Sequence, residues 1–313
     1  MKALITGGAG FIGSHLTERL LTDGAEVIAL DCFTDYYARP LKEANIAALR
    51  SHPRYRLIES SIADADLPTL LDGVTHVFHL AAQAGVRKSW GRDFQIYTTL
   101  NVDATQRLLE ACVGRPLHRF FYASSSSVYG DDVTLPMREE VPLHPVSPYG
   151  VTKLAAEQLC YLYFVNHGVP TVSVRYFTVY GPRQRPDMGF HRFMTAIRAG
   201  QPLTLYGDGL QTRDFTYVAD AAAATHAACV HGVPGQVYNI GGGSRVSVRD
   251  VFAMLGRVTG RPVMIDEQPA QKGDMRDTYA DTGRARADLG FVPSVTLEEG
   301  LRAMWAWMDT TDR

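Results

Sequence analysis

Tyr149 and Lys153 stand four residues apart, the spacing that sets two side chains on one face of a helix. An ammonium near a phenol favours the phenolate, so the pair suits removal of a proton from an alcohol at neutral pH. Upstream, Ser124-Ser125-Ser126-Ser127-Val128-Tyr129-Gly130 supplies hydroxyls able to share that proton. A second cluster opens the chain: Gly7, Gly10 and Gly13, with Phe11 and Ile12 between the last two. Such glycines permit a tight turn and close backbone approach to a pyrophosphate, and a helix that starts there offers N–H donors to it. Asp31, 18 residues after Gly13, is placed to accept hydrogen bonds from an adenosine ribose and to repel a 2′-phosphate, which favours NAD over NADP. Arg39 and Lys42 follow closely and complicate that preference.

These groups need a scaffold, and alternating patterns supply one. Lys2 to Thr6 is a short apolar run that suits a buried parallel strand, followed by the glycine loop and a helical pattern from Ser14 to Thr22. Strands are expected at Glu26 to Leu30, Tyr55 to Ile58, Val74 to Leu80, Arg119 to Ser124 and Thr171 to Tyr176, with helices over about Thr99 to Cys112 and Tyr149 to Val165. This alternation predicts an α/β fold with a doubly wound, Rossmann-type parallel sheet. The serine run then ends a strand at the carboxyl edge, where such sheets hold ligands. After Tyr176 the texture changes. Gly181 to Gly189 reads as a loop, Phe190 to Ala199 and Asp220 to Val230 as helices, and Leu203 to Tyr206 as a strand. Gln236 to Ile240 reads as a strand that rejoins the main sheet. Val248 to Gly256, with Ser247 as its N-cap, Arg284 to Leu289 and Leu297 to Trp307 complete a smaller C-terminal α/β lobe. The expected division is 1–176 plus about 214–240 for the dinucleotide domain, and about 177–213 plus 241–313 for the substrate lobe.

The 313 residues are 46% apolar and 20% charged with a net charge of −2. That length suits one large domain or two packed together, and the balanced charge argues against nucleic acid. Cys32, Cys112, Cys160 and Cys229 are scattered, which argues against a metal site and for reduced thiols. No apolar run approaches the length of a membrane span, and no signal peptide precedes the first strand, so a cytoplasmic protein is expected.

Several segments together resemble one family, the extended short-chain dehydrogenase/reductases that act on nucleotide sugars. They are Thr6-Gly7-Gly8-Ala9-Gly10-Phe11-Ile12-Gly13, His79-Leu80-Ala81-Ala82, the serine-rich Val-Tyr-Gly segment, and Ser147-Pro148-Tyr149-Gly150-Val151-Thr152-Lys153. The resemblance implies that Leu80, Ala81 and Ala82 pass beneath a bound NAD, that Lys153 holds its ribose and that Tyr149 is the base. It also implies Ile62 at the adenine end and Asn101 near the sugar or cofactor. Cys32 and Ser61 depart from the pattern, which has Asn and Asp in those places. Asp31 to Tyr37, Gln83-Ala84-Gly85-Val86-Arg87, and Arg175 to Pro182 continuing to Arg185-Pro186-Asp187-Met188 resemble the UDP-glucuronate 4-epimerase branch. UDP-galactose 4-epimerases usually carry Asn where Thr178 stands. UDP-glucuronate decarboxylases and dTDP-glucose dehydratases carry Glu where Ser127 stands.

What the branch implies is oxidation at C4 of a UDP-sugar, rotation of the 4-keto sugar and reduction on its other face, with no net consumption of NAD. With glucuronate the intermediate is a β-keto acid prone to lose carbon dioxide, and neutral hydroxyls can hold its carboxylate without repelling it. Ser125 is assigned the catalytic hydroxyl, Ser126, Ser127 and Thr178 the carboxylate, and Arg185 the charge at that end. Arg213 is assigned to the diphosphate, with Arg276 as a second candidate, Tyr206 to the uracil, and Arg87 to the substrate more generally. Strand-end capping is the alternative for Ser126 and Ser127. A UDP-glucose/UDP-galactose 4-epimerase is the nearest rival, then a UDP-glucuronate decarboxylase. A homodimer paired through the helices at Thr99 to Cys112 and Tyr149 to Val165 is also implied.

Overall fold

The computed structural model describes residues 1–269 and 275–311. Seven strands form the main sheet in the spatial order Val237–Ile240, Thr171–Tyr176, Arg119–Ser125, His76–His79, Lys2–Thr6, Glu26–Asp31, Tyr55–Glu59. Every pairing among them is parallel. A parallel sheet is covered on both faces, which is why these strands read as continuous apolar runs. Phe121 with Leu20 and Tyr238 fills one face, while its neighbour Phe120 turns to the other with Leu108 and Cys160. Starting from Lys2–Thr6, the chain winds outward on one side, then returns to lay His76–His79 on the other. The crevice at that reversal is where open α/β sheets bind ligands. Val237–Ile240 does rejoin the sheet, at its edge, in register Asn239 opposite Arg175 and Ile240 opposite Tyr176.

The C-terminal lobe packs the helices Gly189–Arg198, Val248–Thr259 and Leu297–Thr311 around a core that includes Met194, Leu205, Phe252, Leu255 and Leu301. Ser247 caps the second of these by accepting from the Asp250 N–H, and Gly260, in the left-handed region, ends it. Among the described residues no helix is long and apolar enough to cross a membrane.

Three elements differ from expectation. The helical run before Cys112 begins at Phe94, passes through a π-helical stretch at Thr98–Asp103, and only then becomes the α-helix Ala104–Cys112. The extra residue per turn swings Asn101 inward, as π-bulges at working sites do. The first helix starts at Phe11, ahead of Ser14, so Gly13 lies within it. The helix Arg39–Ile46, with Pro40 in its first turn, was not anticipated, although Pro at that position is a start signal.

Candidate active site

A cavity of about 580 Å³ follows the carboxyl edge of the sheet. All twelve positions expected to hold a dinucleotide line it: Gly7, Gly10, Phe11, Ile12, Gly13, Asp31, Ile62, Leu80, Ala81, Ala82, Tyr149 and Lys153. The loop fits a pyrophosphate for steric reasons. Gly7 has φ +72°, and a Cβ there would sit 2.9 Å from the Ala81 nitrogen. A Cβ on Gly13 would lie 2.2 Å from the Gly7 carbonyl oxygen. No side chain caps the helix Phe11–Thr22, so its first N–H donors are left for a ligand.

At the far end, Asp31 Oδ2 accepts from the Ala9 N–H at 3.1 Å, and Oδ1 from Phe33 N at 2.9 Å and Lys42 Nζ at 3.2 Å. Lys42 is therefore a buried partner of Asp31, brought there by the unanticipated helix. Arg39 is engaged elsewhere, with Glu59 and Glu43. The Ser61 hydroxyl donates to Asp64 Oδ2 at 2.6 Å, which keeps a carboxylate near the place where the family pattern has its Asp.

The floor is fixed by a relay through buried His79. Thr105 Oγ1 donates to the Asn101 carbonyl at 2.6 Å, so it accepts from His79 Nε2 at 2.9 Å. His79 Nδ1 then accepts from Thr6 Oγ1 at 2.7 Å, which in turn accepts from the Ala81 N–H at 3.2 Å. Burial, followed by the Lys153 charge, pushes the imidazole down to about 3, so it stays neutral. Asn101 contacts neither Tyr149 nor Lys153 through its amide. Its Oδ1 accepts from Gln83 N at 2.7 Å, and its Nδ2 donates to Gln83 O and Thr152 Oγ1, both at 3.0 Å. It thereby ties the floor to the helix that carries Tyr149.

That helix, Pro148–His167, is capped by Ser147, whose Oγ accepts from the Gly150 N–H at 3.1 Å. A Cβ on Gly150 would lie 2.3 Å from the Ser127 carbonyl oxygen, so glycine lets the helix abut the serine turn. Lys153 is buried with Nζ 4.4 Å from the centre of the Tyr122 ring. Burial draws its amine down to about 7, against the opposing pull of Cys160 and Glu157. Tyr149 meets Tyr97 edge-on at 6.3 Å. Burial raises its phenol, while the nearby Ser125 hydroxyl and the Arg185 charge oppose that rise. Arg185 stands in the cavity lining with Lys153, the expected source of the opposing charge.

Ser125 Oγ also accepts from the Ser127 N–H at 3.2 Å, so Ser125 is the residue that caps the strand end. The register Ser125 opposite Tyr176 sets the turn carrying Ser126 and Ser127 beside the segment carrying Thr178. Arg185 lines the cavity and pairs with Asp187. Seven expected substrate residues do not line it, namely Ser126, Ser127, Thr178, Arg87, Tyr206, Arg213 and Arg276, and neither does Ser125. The Arg87 guanidinium covers the Tyr206 ring at 4.5 Å. Arg213 donates to the carbonyls of Thr212, Met275 and Arg276 at 2.6–3.0 Å. Arg276 forms a two-pronged pair with Asp208 at 2.9 and 3.0 Å. Tyr36, Tyr37 and Gln83 also line the cavity, beyond the positions singled out in the sequence. Only the segment from Asp31 to Tyr37 had hinted at the first two. Among the described residues no group of His, Cys, Asp and Glu could hold a metal ion.

The model of the NAD dependent epimerase/dehydratase family matches residues 3–241. An uncharacterized UDP-glucose epimerase of Bacillus subtilis (strain 168), YtcB, is 44% identical, over 99% of this chain and 98% of its own. A UDP-glucuronate 4-epimerase of Thermodesulfobacterium geofontis (strain OPF15) is 35% identical, over 97% and 95%. Among solved structures, the UDP-glucuronic acid 4-epimerase from Bacillus cereus, in complex with UDP-glucuronic acid and NAD, superposes with a TM-score of 0.96. It is 43% identical, over 99% of this chain and 100% of that one.

Proposed function

The chain belongs to the NAD dependent epimerase/dehydratase family, and from that premise we propose that it is a UDP-sugar 4-epimerase that interconverts UDP-glucuronate and UDP-galacturonate. The observation that carries this reading is a single cavity that brings Tyr149, whose phenol the Ser125 hydroxyl favours in its charged form, together with Lys153 and Arg185. Together they provide a proton acceptor, a proton partner and a positive charge suited to an acidic sugar. The glycine cradle and Asp31 fit NAD. Bound there, NAD would accept a hydride from C4 of the sugar and later return it.

Tyr149 Oη takes the 4-hydroxyl proton, with Ser125 Oγ sharing it, and gives it back once the 4-keto sugar has turned over. Lys153 holds the cofactor's ribose, and Leu80 to Ala82 form the floor beneath it. Ser126, Ser127 and Thr178 hold the C6 carboxylate out of the alignment in which carbon dioxide leaves. They do so as neutral donors, whereas a carboxylate in place of Ser127 would repel it. Arg87, Tyr206, Arg213 and Arg276 take the UDP end, Arg276 exchanging Asp208 for the ligand. Residues 1–176 plus about 214–240 hold the cofactor, and about 177–213 plus 241–313 hold the nucleotide sugar.

The protein acts as a homodimer in the cytoplasm. Tyr161, Leu162 and Val165 are 55%, 50% and 58% exposed on the Tyr149 helix, and Phe94 and Ile96 are also exposed on the neighbouring helical run. Contiguous apolar surface of this kind marks a protein interface. All four cysteines are unpaired, as a reducing compartment keeps them.

A UDP-glucose/UDP-galactose 4-epimerase would share Tyr149, Lys153 and Ser125 and differ only around C6; the Bacillus subtilis relative favours it. Proton NMR of purified protein with UDP-glucuronate separates the readings. UDP-galacturonate without UDP-pentose is the expected product. A UDP-pentose would overturn the assignment of Ser127, and faster turnover of neutral UDP-hexoses would install the rival.

A further inference from the structure

Arg185 reaches the cavity from the loop 181–188, and two residues, Asp187 outside its lining and Tyr36 within it, set the guanidinium's direction. Its Nε donates to Asp187 Oδ1 at 3.0 Å and its Nη2 to Asp187 Oδ2 at 3.2 Å. A guanidinium is a planar fork of five donors. With the Nε–Nη2 edge taken, the edge that includes Nη1 is left for a second anion. Asp187 is itself anchored, because Tyr36 Oη donates to its Oδ2 at 3.1 Å. Tyr36 can reach it only because residue 85 is glycine: a Cβ there would lie 2.4 Å from Tyr36 Oη, and its φ is +102°. Tyr97 Oη in turn pins that loop through the carbonyls of Ala84 and Gly85, at 2.9 and 2.7 Å. Two cations stand near the Tyr36 ring, Lys88 Nζ at 5.1 Å and the Arg185 guanidinium at 5.9 Å. Arg185 is thus held from one side by a carboxylate that Tyr36 anchors through Oδ2, and its charge is felt at Tyr149.

We propose that Asp187 and Tyr36 form a positioning pair that aims Arg185 at the anionic group on C6, and that they set the preference for a uronate over a neutral hexose. This rests on the reading of the substrate given above. Neither residue touches the reacting atoms. Their effect passes through Arg185, a long side chain whose rotamer freedom the pair removes before substrate arrives. A neutral hexose has no charge to meet the free edge, so disordering Arg185 costs it little.

The test compares NAD-loaded wild type, Asp187→Asn and Tyr36→Phe. Dissociation constants for UDP-glucuronate and UDP-glucose are taken by titration calorimetry, alongside kcat and KM for each. Asp187→Asn keeps the shape and one acceptor but loses the charge. It is expected to weaken uronate relative to hexose by about tenfold, in KM more than in kcat. Tyr36→Phe keeps the ring and its neighbouring cations and should shift the same ratio by about threefold. It answers the question even if Asp187→Asn fails to fold. Equal losses for both sugars in the folded variants would reduce the pair to general support and overturn the proposal. Tighter uronate binding in Asp187→Asn would make Asp187 a competitor for Arg185 and overturn it too. A wild type that takes hexose and ignores uronate would instead overturn the functional reading, and the uronate preference with it.

Discussion

At Tyr149 burial and its two neighbours pull in opposite directions. Removal from water raises the phenol, and Ser125 and Arg185 oppose the rise. The base is therefore tuned by residues from two other segments, a strand end and a loop. Removing the phenol oxygen abolishes the proton acceptor without disturbing the glycine cradle. Tyr149→Phe is expected to lower kcat by about 10²–10⁴-fold and to leave bound NAD, measured by its absorbance after release, at the wild-type level. Wild-type turnover in this variant would remove Tyr149 from the role. The Tyr149–Lys153 pair was legible because an i, i+4 spacing needs only a helix to become a geometry. Arg185 as a charge acting on Tyr149 was not, since nothing local ties residue 185 to residue 149. The roles of Arg213 and Tyr206 were obscured in the same way. Which carbonyls take Arg213 and which cation covers Tyr206 depend on segments 60 and more residues away.

Among the elements, the strands and the glycine turn could be read directly because hydrophobic runs and punctuation are local signals. The π-helical bend at Thr98–Asp103 could not, because what favours it is the distant Gln83 and Thr152 that receive Asn101. The same bend sends the Asn101 carbonyl to Thr105, and so fixes the tautomer of His79. That histidine joins two strands and a helix and must stay neutral to do so. Its folded pKa, about 3, lies below the ordinary 6.5, so the stability it contributes is complete above pH 6.5 and lost as pH falls toward 3. His76, lowered to about 4 by burial and His118, behaves alike. Asp214 has the opposite sign. Burial lifts its carboxyl from 3.8 to about 6, so it stabilises the fold as pH drops through that window. Between pH 6 and 4 the two histidines outweigh the one acid, and from these groups the unfolded chain binds about one proton more, or about 1.4 kcal/mol per pH unit. Urea unfolding should show stability falling over this range, with the slope reduced by about one proton in His79→Gln. An unchanged slope in that variant would show that His79 does not carry the effect.

For the whole molecule, the exposed apolar face on the Tyr149 helix matters as much as the cleft. Residues 149 and 153 face the cavity, while 161, 162 and 165 on the same helix face outward, so the proposed docking face and the proposed base share one rod. Sedimentation velocity is expected to place the protein at twice the chain mass, and Leu162→Arg at the single mass with reduced turnover. A wild type that sediments as a monomer would reject the pairing.

The strand Val237–Ile240 closes the sheet by lying against Thr171–Tyr176 after the chain has left to build part of the second lobe. A ribosome that has delivered the first 200 residues has therefore released a sheet whose border, Thr171–Tyr176, still has open amide and carbonyl groups on one side. In the finished protein all six residues of that border are buried. Until residue 240 emerges, the nascent protein carries a sticky seam able to pair with another chain. Translation pauses in that interval, and fragments that stop short of Val237, are where aggregation of this protein should concentrate.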